Sequence, residues 1–319
     1  MPVKAGLSGR RRSSCRTDEG LKVQQTIILK LVRLIPLQLR KFITVAVAGA
    51  FYHLSLKHRL IAIHNLMRSF PEKPVAEIIK IARHSYFSFA IVAAEFVDIP
   101  YFNRDNLHKW ITIEGLENYT EACGEGKGVL LFGAHFGNWE IGNAALALTT
   151  RPFAFLYRIL DSPFLEDNIT RVRASYGNAS LSKENAMRPV IRLLKKNTTI
   201  NMLIDQNVAW YDGVFVDFFG RQTCTTSGLA LLALHTDAPV LPSFTRRLPS
   251  GQYVLEIGKK VAIMRSGDRD KDVLINTQNF TKIIEEKISK YPEQWFWVHQ
   301  RWKTKLCQAK PFSKNKLVK

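Results

Sequence analysis

The sequence predicts an α/β protein: a mixed central sheet with helices on both faces, preceded by a purely helical N-terminal region. Three observations carry that expectation. Beyond residue 110, apolar runs of strand length alternate with longer stretches of three- and four-residue apolar spacing. Between 55 and 100 only the helical period is present. The chain has 319 residues, of which 46% are hydrophobic, enough to fill the core that such a layered fold needs.

Taken in order, TIILKLVRLIPLQLRKFITVAVAGAFYHL (26–54) is apolar but interrupted by Lys30, Arg33, Pro36, Arg40 and Lys41. Its longest uncharged piece, Phe42 to Tyr52, falls short of the roughly 20 apolar residues that a span requires. The segment therefore reads as an amphipathic or partly inserted helical pair at a bilayer surface, against the alternative of a buried hairpin. RLIAIHNLMRSF and PVAEIIKIARHSYFSFAIVAAEF follow as helices separated at Pro71, and Pro100 closes the region.

The pattern then changes. ITIEGL, GVLLFGAH, FAFLYR, TINMLIDQ, VFVDFF, APVLPSFTRR and YVLEIG read as strands. ENYTEACGEG, NWEIGNAALAL, PFLEDNITRVRASYG, AMRPVIRLLKKN, TTSGLALLALHT and DVLINTQNFTKIIEEKISKYPEQWFWVHQ read as helices. The expected organisation is a basic leader (1–20), a helical membrane-associated region (21–108), an α/β domain (109–305) and a basic tail (306–319).

Charge sharpens this division. The net charge is +19, but residues 1–41 hold ten Lys/Arg against two acids and residues 301–319 hold seven against none. The middle is close to balanced, so the basic ends suit anionic partners, whether lipid headgroups, nucleic acid or an acidic protein, against the alternative of solvated tails with no partner. The leader has no apolar core behind its charges and is not a signal peptide. Cys15, Cys123, Cys224 and Cys307 are too scattered for a zinc site or a compact disulfide framework.

The segment GVLLFGAHFGNWEIG (128–142) carries the chemistry. An apolar strand ends at Ala134, His135 stands at its carboxyl end, Phe136–Gly137 turn the chain, and Asn138–Trp139–Glu140 open a helix. Reactive groups of open α/β sheets gather at the carboxyl ends of strands. Glu140 is expected to accept a hydrogen bond from one ring nitrogen of His135, leaving the other as general base. No nucleophile of the chain's own accompanies them, so the attacking hydroxyl would come from the substrate. Amides near Gly137 are candidates for holding an oxyanion. By itself H-x4-E fits a capped helix beside a hydrogen-bonded His equally well.

HFGNWE (135–140) resembles the signature of the bacterial lipid A biosynthesis acyltransferases, of lauroyl and myristoyl type. RHSYFSFAIVAAEF (83–96), Tyr157–Arg158, Asp205–Gln206–Asn207, GVFVDFFG (213–220), TTSGLALLA (225–233) and YPEQWFWVHQRWK (291–303) resemble further blocks of that family in the same order. The resemblance implies a glycerolphosphate-acyltransferase-like fold and acyl transfer to a hydroxyl of a membrane glycolipid, a lipid A precursor. It implies acyl carrier protein or acyl-CoA as donor, no metal or other cofactor, no nucleic acid, and a place at the cytoplasmic face of the inner membrane. It assigns catalysis to His135 and Glu140.

Roles for the remaining residues stay open. Arg158 is a candidate phosphate contact or a surface ion-pair partner. Asp205 is expected to orient Arg158 or the acceptor, or to cap a turn. Phe219 and Gly220, with Phe218, either line an acyl groove or pack in the core. Trp295, Trp297 and Trp302 form a bilayer-facing surface or a core seam, and His299 reads as structural. An acceptor of phospholipid or aminolipid type, and an inactive basic membrane-binding relative, are the alternatives. A hydrolase is disfavoured by the absence of a G-x-S-x-G elbow.

Overall fold

The computed structural model describes residues 29–306. The basic leader, and the tail beyond Leu306, lie outside the described residues.

The N-terminal layer is helical, as expected. A helical stretch over residues 29–34 breaks at Pro36, where the chain re-enters as α1 (Leu37–Leu54). Two more helices follow, α2 (Leu56–Ser69) and α3 (Val75–Phe96). Pro36 and Pro74 each stand immediately before a helix, where a fixed φ helps and a missing N–H costs nothing. Among the described residues no helix is long and apolar enough to cross a membrane.

The rest of the chain alternates strand and helix: β1 (Ile111–Glu114), α4 (Leu116–Gly124), β2 (Val129–Gly133), α5 (Trp139–Thr149), β3 (Ala154–Tyr157), α6 (Pro163–Arg173), β4 (Ala179–Ser182), α7 (Met187–Leu194) and β5 (Thr199–Leu203). After these come β6 (Gly213–Phe218), β7 (Arg221–Thr226), α8 (Gly228–Thr236), β8 (Val240–Arg247), β9 (Tyr253–Ile257) and α9 (Arg269–Lys290). Seven strands form one sheet in the order β1-β9-β8-β2-β5-β3-β4. All neighbours are parallel except β8 and β9, so the sheet is mixed. β2 lies at its centre and is buried on both faces, as a continuous apolar run requires.

One apolar cluster joins Leu66, Phe70 and Ile78 of the helical layer to Phe132, Phe136 and Trp295 of the sheet region. A second fills the opposite face through Leu131, Ile141, Leu146 and Leu241. The two regions therefore share a core.

Four elements depart from expectation. β4 (ASLS) is made of small, partly polar residues that show no apolar run. β7 pairs only with β6, in a separate antiparallel hairpin that packs on α9. Because β7 takes Thr225 and Thr226, α8 starts later than TTSGLALLALHT suggested. The last helix stops at Lys290, ahead of Pro292, and WFWVHQ runs on as an irregular segment that buries Trp295 and Trp297.

Candidate active site

Strand register builds the site. β2 and β5 are adjacent and parallel, with Gly133 opposite Leu203. Two residues further along, the same register sets His135 beside Asp205. The Asp205 Oδ1 lies 2.8 Å from His135 Nδ1, and Oδ2 accepts from the backbone N–H of His135 at 2.9 Å and from Trp295 Nε1 at 2.8 Å. Burial alone would push this fully enclosed carboxyl up. The imidazole charge and the donated hydrogen bonds outweigh burial and hold it at about 2. As a carboxylate Asp205 only accepts, so Nδ1 donates to it, and in the neutral ring Nε2 is then the nitrogen that carries the lone pair. The His135 side chain is 25% exposed while Asp205 is 3% exposed, so the imidazole is reachable and its partner is not.

The turn after His135 is pressed against β8. Gly137 has φ +55, and a Cβ there would stand 1.8 Å from the Thr245 carbonyl oxygen. No side chain fits between these two backbones, so glycine is required. Asn138 then caps α5, accepting from Ile141 N–H at 3.2 Å. Its Nδ2 donates to the buried Glu95 of α3 at 3.0 Å.

The hydrogen bond expected between Glu140 and His135 is absent. Glu140 instead accepts from Arg173 Nε (3.2 and 3.1 Å), from Arg173 Nη2 (2.5 Å) and from Trp139 Nε1 (2.9 Å). The five-residue spacing puts Glu140 on the α5 side that meets the end of α6, whereas β5 supplies the imidazole's partner. Burial pulls the Arg173 guanidinium down, but the Glu140 carboxylate more than compensates and holds it above its ordinary value. The Gly137 amide is likewise not a free donor, since it donates to the Gln294 carbonyl at 2.9 Å. That leaves the first-turn amides of Trp139 and Glu140, which no intrahelical carbonyl satisfies.

The other candidates scatter. Arg158 pairs with Asp161 at 2.7 Å, with both side chains exposed, and is not oriented by Asp205. Phe219 (φ +54) and Gly220 (φ +67) form the two-residue turn between β6 and β7, a conformation that glycine suits and that closes a hairpin. Phe219 packs on Phe70 and Trp297, and its N–H donates to Glu285 at 2.5 Å. A Cβ on Gly220 would meet nothing within 4 Å, so its place is the open tip of the turn. Trp295, Trp297 and Trp302 are buried and form a core seam. His299 accepts from the Asn207 amide at 2.9 Å, and burial lowers its pKa to about 4, as befits a neutral structural imidazole.

Two positioning residues escape sequence reading. Arg173 lies 33 positions from Glu140 and looks like any cation closing a helix. Arg301 is buried and spans the Gln206 carbonyl (2.9 Å), the Cys224 carbonyl (3.1 Å) and Thr225 Oγ1 (2.5 Å), bracing the segment that follows Asp205.

The family model for bacterial lipid A biosynthesis acyltransferases matches residues 10–304. A lipid A biosynthesis palmitoleoyltransferase of Escherichia coli is 28% identical over 260 residues, covering 81% of this chain and 83% of the relative. A lipid A biosynthesis lauroyltransferase of the same organism is 26% identical over 252 residues, covering 78% and 81%. A phosphatidylinositol mannoside acyltransferase of Mycolicibacterium smegmatis is 25% identical over 242 residues, covering 75% and 77%. Among solved structures, a 1-acyl-sn-glycerophosphate acyltransferase of Thermotoga maritima matches at 14% identity and a TM-score of 0.36, covering 82% of this chain and 99% of that one.

Proposed function

Since the chain belongs to the bacterial lipid A biosynthesis acyltransferase family, and is thus an acyltransferase for a lipid A-type acceptor, we propose that His135 is its general base. The observation that carries this reading is the Nδ1 contact of 2.8 Å to a buried, ionised Asp205 on an imidazole that is itself reachable from solvent. Nε2 removes the proton from the acceptor hydroxyl as that oxygen attacks the thioester carbonyl. The negative charge that develops on the carbonyl oxygen falls to the amides at the start of α5, assisted by the helix dipole. On collapse the C–S bond breaks, the imidazolium returns its proton to the departing sulfur, and an ester and a free thiol result. Asp205 fixes the tautomer and stabilises the imidazolium. Glu140 contributes at one remove, by tying Arg173 to the first turn of α5.

The donor in this reading is acyl carrier protein or acyl-CoA, and the acceptor is a glycolipid resting in the bilayer. Its support is the outer surface of α1, where Leu39, Phe42, Ile43, Val47, Phe51 and Leu54 are exposed at helical spacing. Such a surface suits peripheral attachment to the cytoplasmic leaflet of the inner membrane, with anionic headgroups attracting the basic ends of the chain.

The test is His135→Ala in purified, folded protein. Loss of a general base lowers turnover by about 10²–10⁴-fold. A rate within a few-fold of the parent would remove His135 from the mechanism.

A further inference from the structure

A cavity of about 490 Å³ opens between α2, the β6–β7 hairpin and residues 300–305. Its walls carry His64, Arg68, Arg221, Lys303 and Lys305, and among the described residues no acid lines it. Among the described residues, Arg68, Arg221 and Lys303 form no ion pair with a carboxylate. The sequence showed basic ends but gave no sign of this pocket, whose cations come from three distant stretches.

Beside the cavity, Nη1 of Arg221 and Nε1 of Trp302 are enclosed, out of reach of water, and have no acceptor among the described residues. The Arg221 guanidinium carbon lies over the Trp302 ring, 4.1 Å from its centroid, so the ring holds a cation that has no counter-charge among the described residues. Burial, then the repulsion of Arg68, pull the Arg221 guanidinium down to about 10. Burial, Arg68, Arg221 and Lys305 all bear on His64 in the same direction. Folding has therefore gathered like charges around one cavity, an arrangement that a bound anion would relieve.

We propose that this cavity is a binding site for a phosphate monoester. A phosphate dianion offers several strong acceptor oxygens to the Arg68 and Arg221 guanidinium groups and the neighbouring cations, whereas a carboxylate offers only two. The cavity also exceeds the needs of a bare phosphate, leaving room for the group that bears it. Leu60, 52% exposed, forms part of the rim, so a phosphate carried on a lipid and one carried on a soluble molecule both match the lining. The site is separate from the catalytic pair but is joined to it by packing: Trp302 stacks on Phe218, Phe218 meets Trp295, and Trp295 donates to Asp205. The proposal does not depend on the role given to His135.

The experiment titrates inorganic phosphate into the full-length protein at constant ionic strength, read by calorimetry, with chloride as control. The parent should show saturable binding at one site, weakened about tenfold or more in Arg68→Gln/Arg221→Gln. Competition then identifies the carrier. Displacement by vesicles containing phosphatidic acid, but not by pure phosphatidylcholine vesicles, assigns a lipid-borne phosphate. Displacement by glycerol phosphate alone assigns a soluble one. Phosphate binding that neither competitor displaces would overturn the monoester assignment. Absence of saturable binding to the parent would overturn the site, and that result stands even if the double variant fails to fold. Unchanged affinity in a folded double variant would overturn it too.

Discussion

In the sheet region the strands put their apolar residues inside; in the N-terminal layer the arrangement is partly reversed. Val129, Leu130, Leu131 and Phe132 of β2 are fully enclosed, and the charged groups near them lie at the strand ends, paired. In α1 the buried side chains are Arg40 and Tyr52, while Phe42 and Leu54 are 71% and 84% exposed. Arg40 reaches the Ala94 carbonyl and Asp98, and Lys41 reaches Glu95. A helix that turns cations inward and leaves large apolar groups outward is what the proposed attachment to a bilayer surface requires. One half of the molecule is built to hold reacting groups still, and the other to present a surface.

Variants of the two halves should fail in different ways. The largest stability effect is expected at the Glu140–Arg173 pair, whose side chains are 7% and 14% exposed. Breaking such a buried pair from one side costs about 3 kcal/mol or more. Glu140→Gln should lower the unfolding free energy by that order, and Glu140→Gln/Arg173→Met should recover part of it. If activity is lost in the single variant with no change in stability, Glu140 acts on the substrate instead.

Next comes Asp205, whose pKa is held at about 2, below its ordinary value. A depressed carboxyl stabilises the folded state above its unfolded pKa, and that contribution is lost as pH falls through the folded value. The parent should therefore lose roughly 2 kcal/mol relative to Asp205→Asn between about pH 4 and pH 2, as read by denaturant unfolding across that range. Parallel stability curves would show that the carboxylate is not held as described.

The smallest stability effect belongs to α1. Phe42→Ser/Val47→Ser/Phe51→Ser should change unfolding by about 0.5 kcal/mol or less per site, because these side chains are largely outside the core. It should nevertheless markedly reduce sedimentation with anionic vesicles. Full retention on vesicles would end the membrane reading of that face and blur the contrast between the halves.

The sequence made some of this visible and hid the rest for physical reasons. His135 at the end of a buried run and Asp205 at the end of another were both legible, because strand ends leave a local apolar signature. Their partnership was not, since it depends on the register of β2 against β5, 70 positions apart. Glu140, five positions away, was the nearer acid in sequence but points toward α6. FFG fitted either a groove or the core; Phe218 and Phe219 pack in the core, and the hairpin they help to close went unseen because its partner strand RQTCTT buries threonines where an apolar run would have announced it. The tryptophan-rich end named its residues but not their surroundings, which only the packed core reveals.

Glu95 has a mechanical consequence. Fully enclosed, it takes the Lys41 ammonium from α1, the Asn138 amide from the cap of α5 and the Tyr253 hydroxyl from β9. A single carboxylate thus ties the outward-facing helix, the loop bearing the imidazole and the sheet together. In the proposed mechanism this joint sets the height of the His135 nitrogen above whatever α1 rests upon, so that reach comes from the incoming molecules.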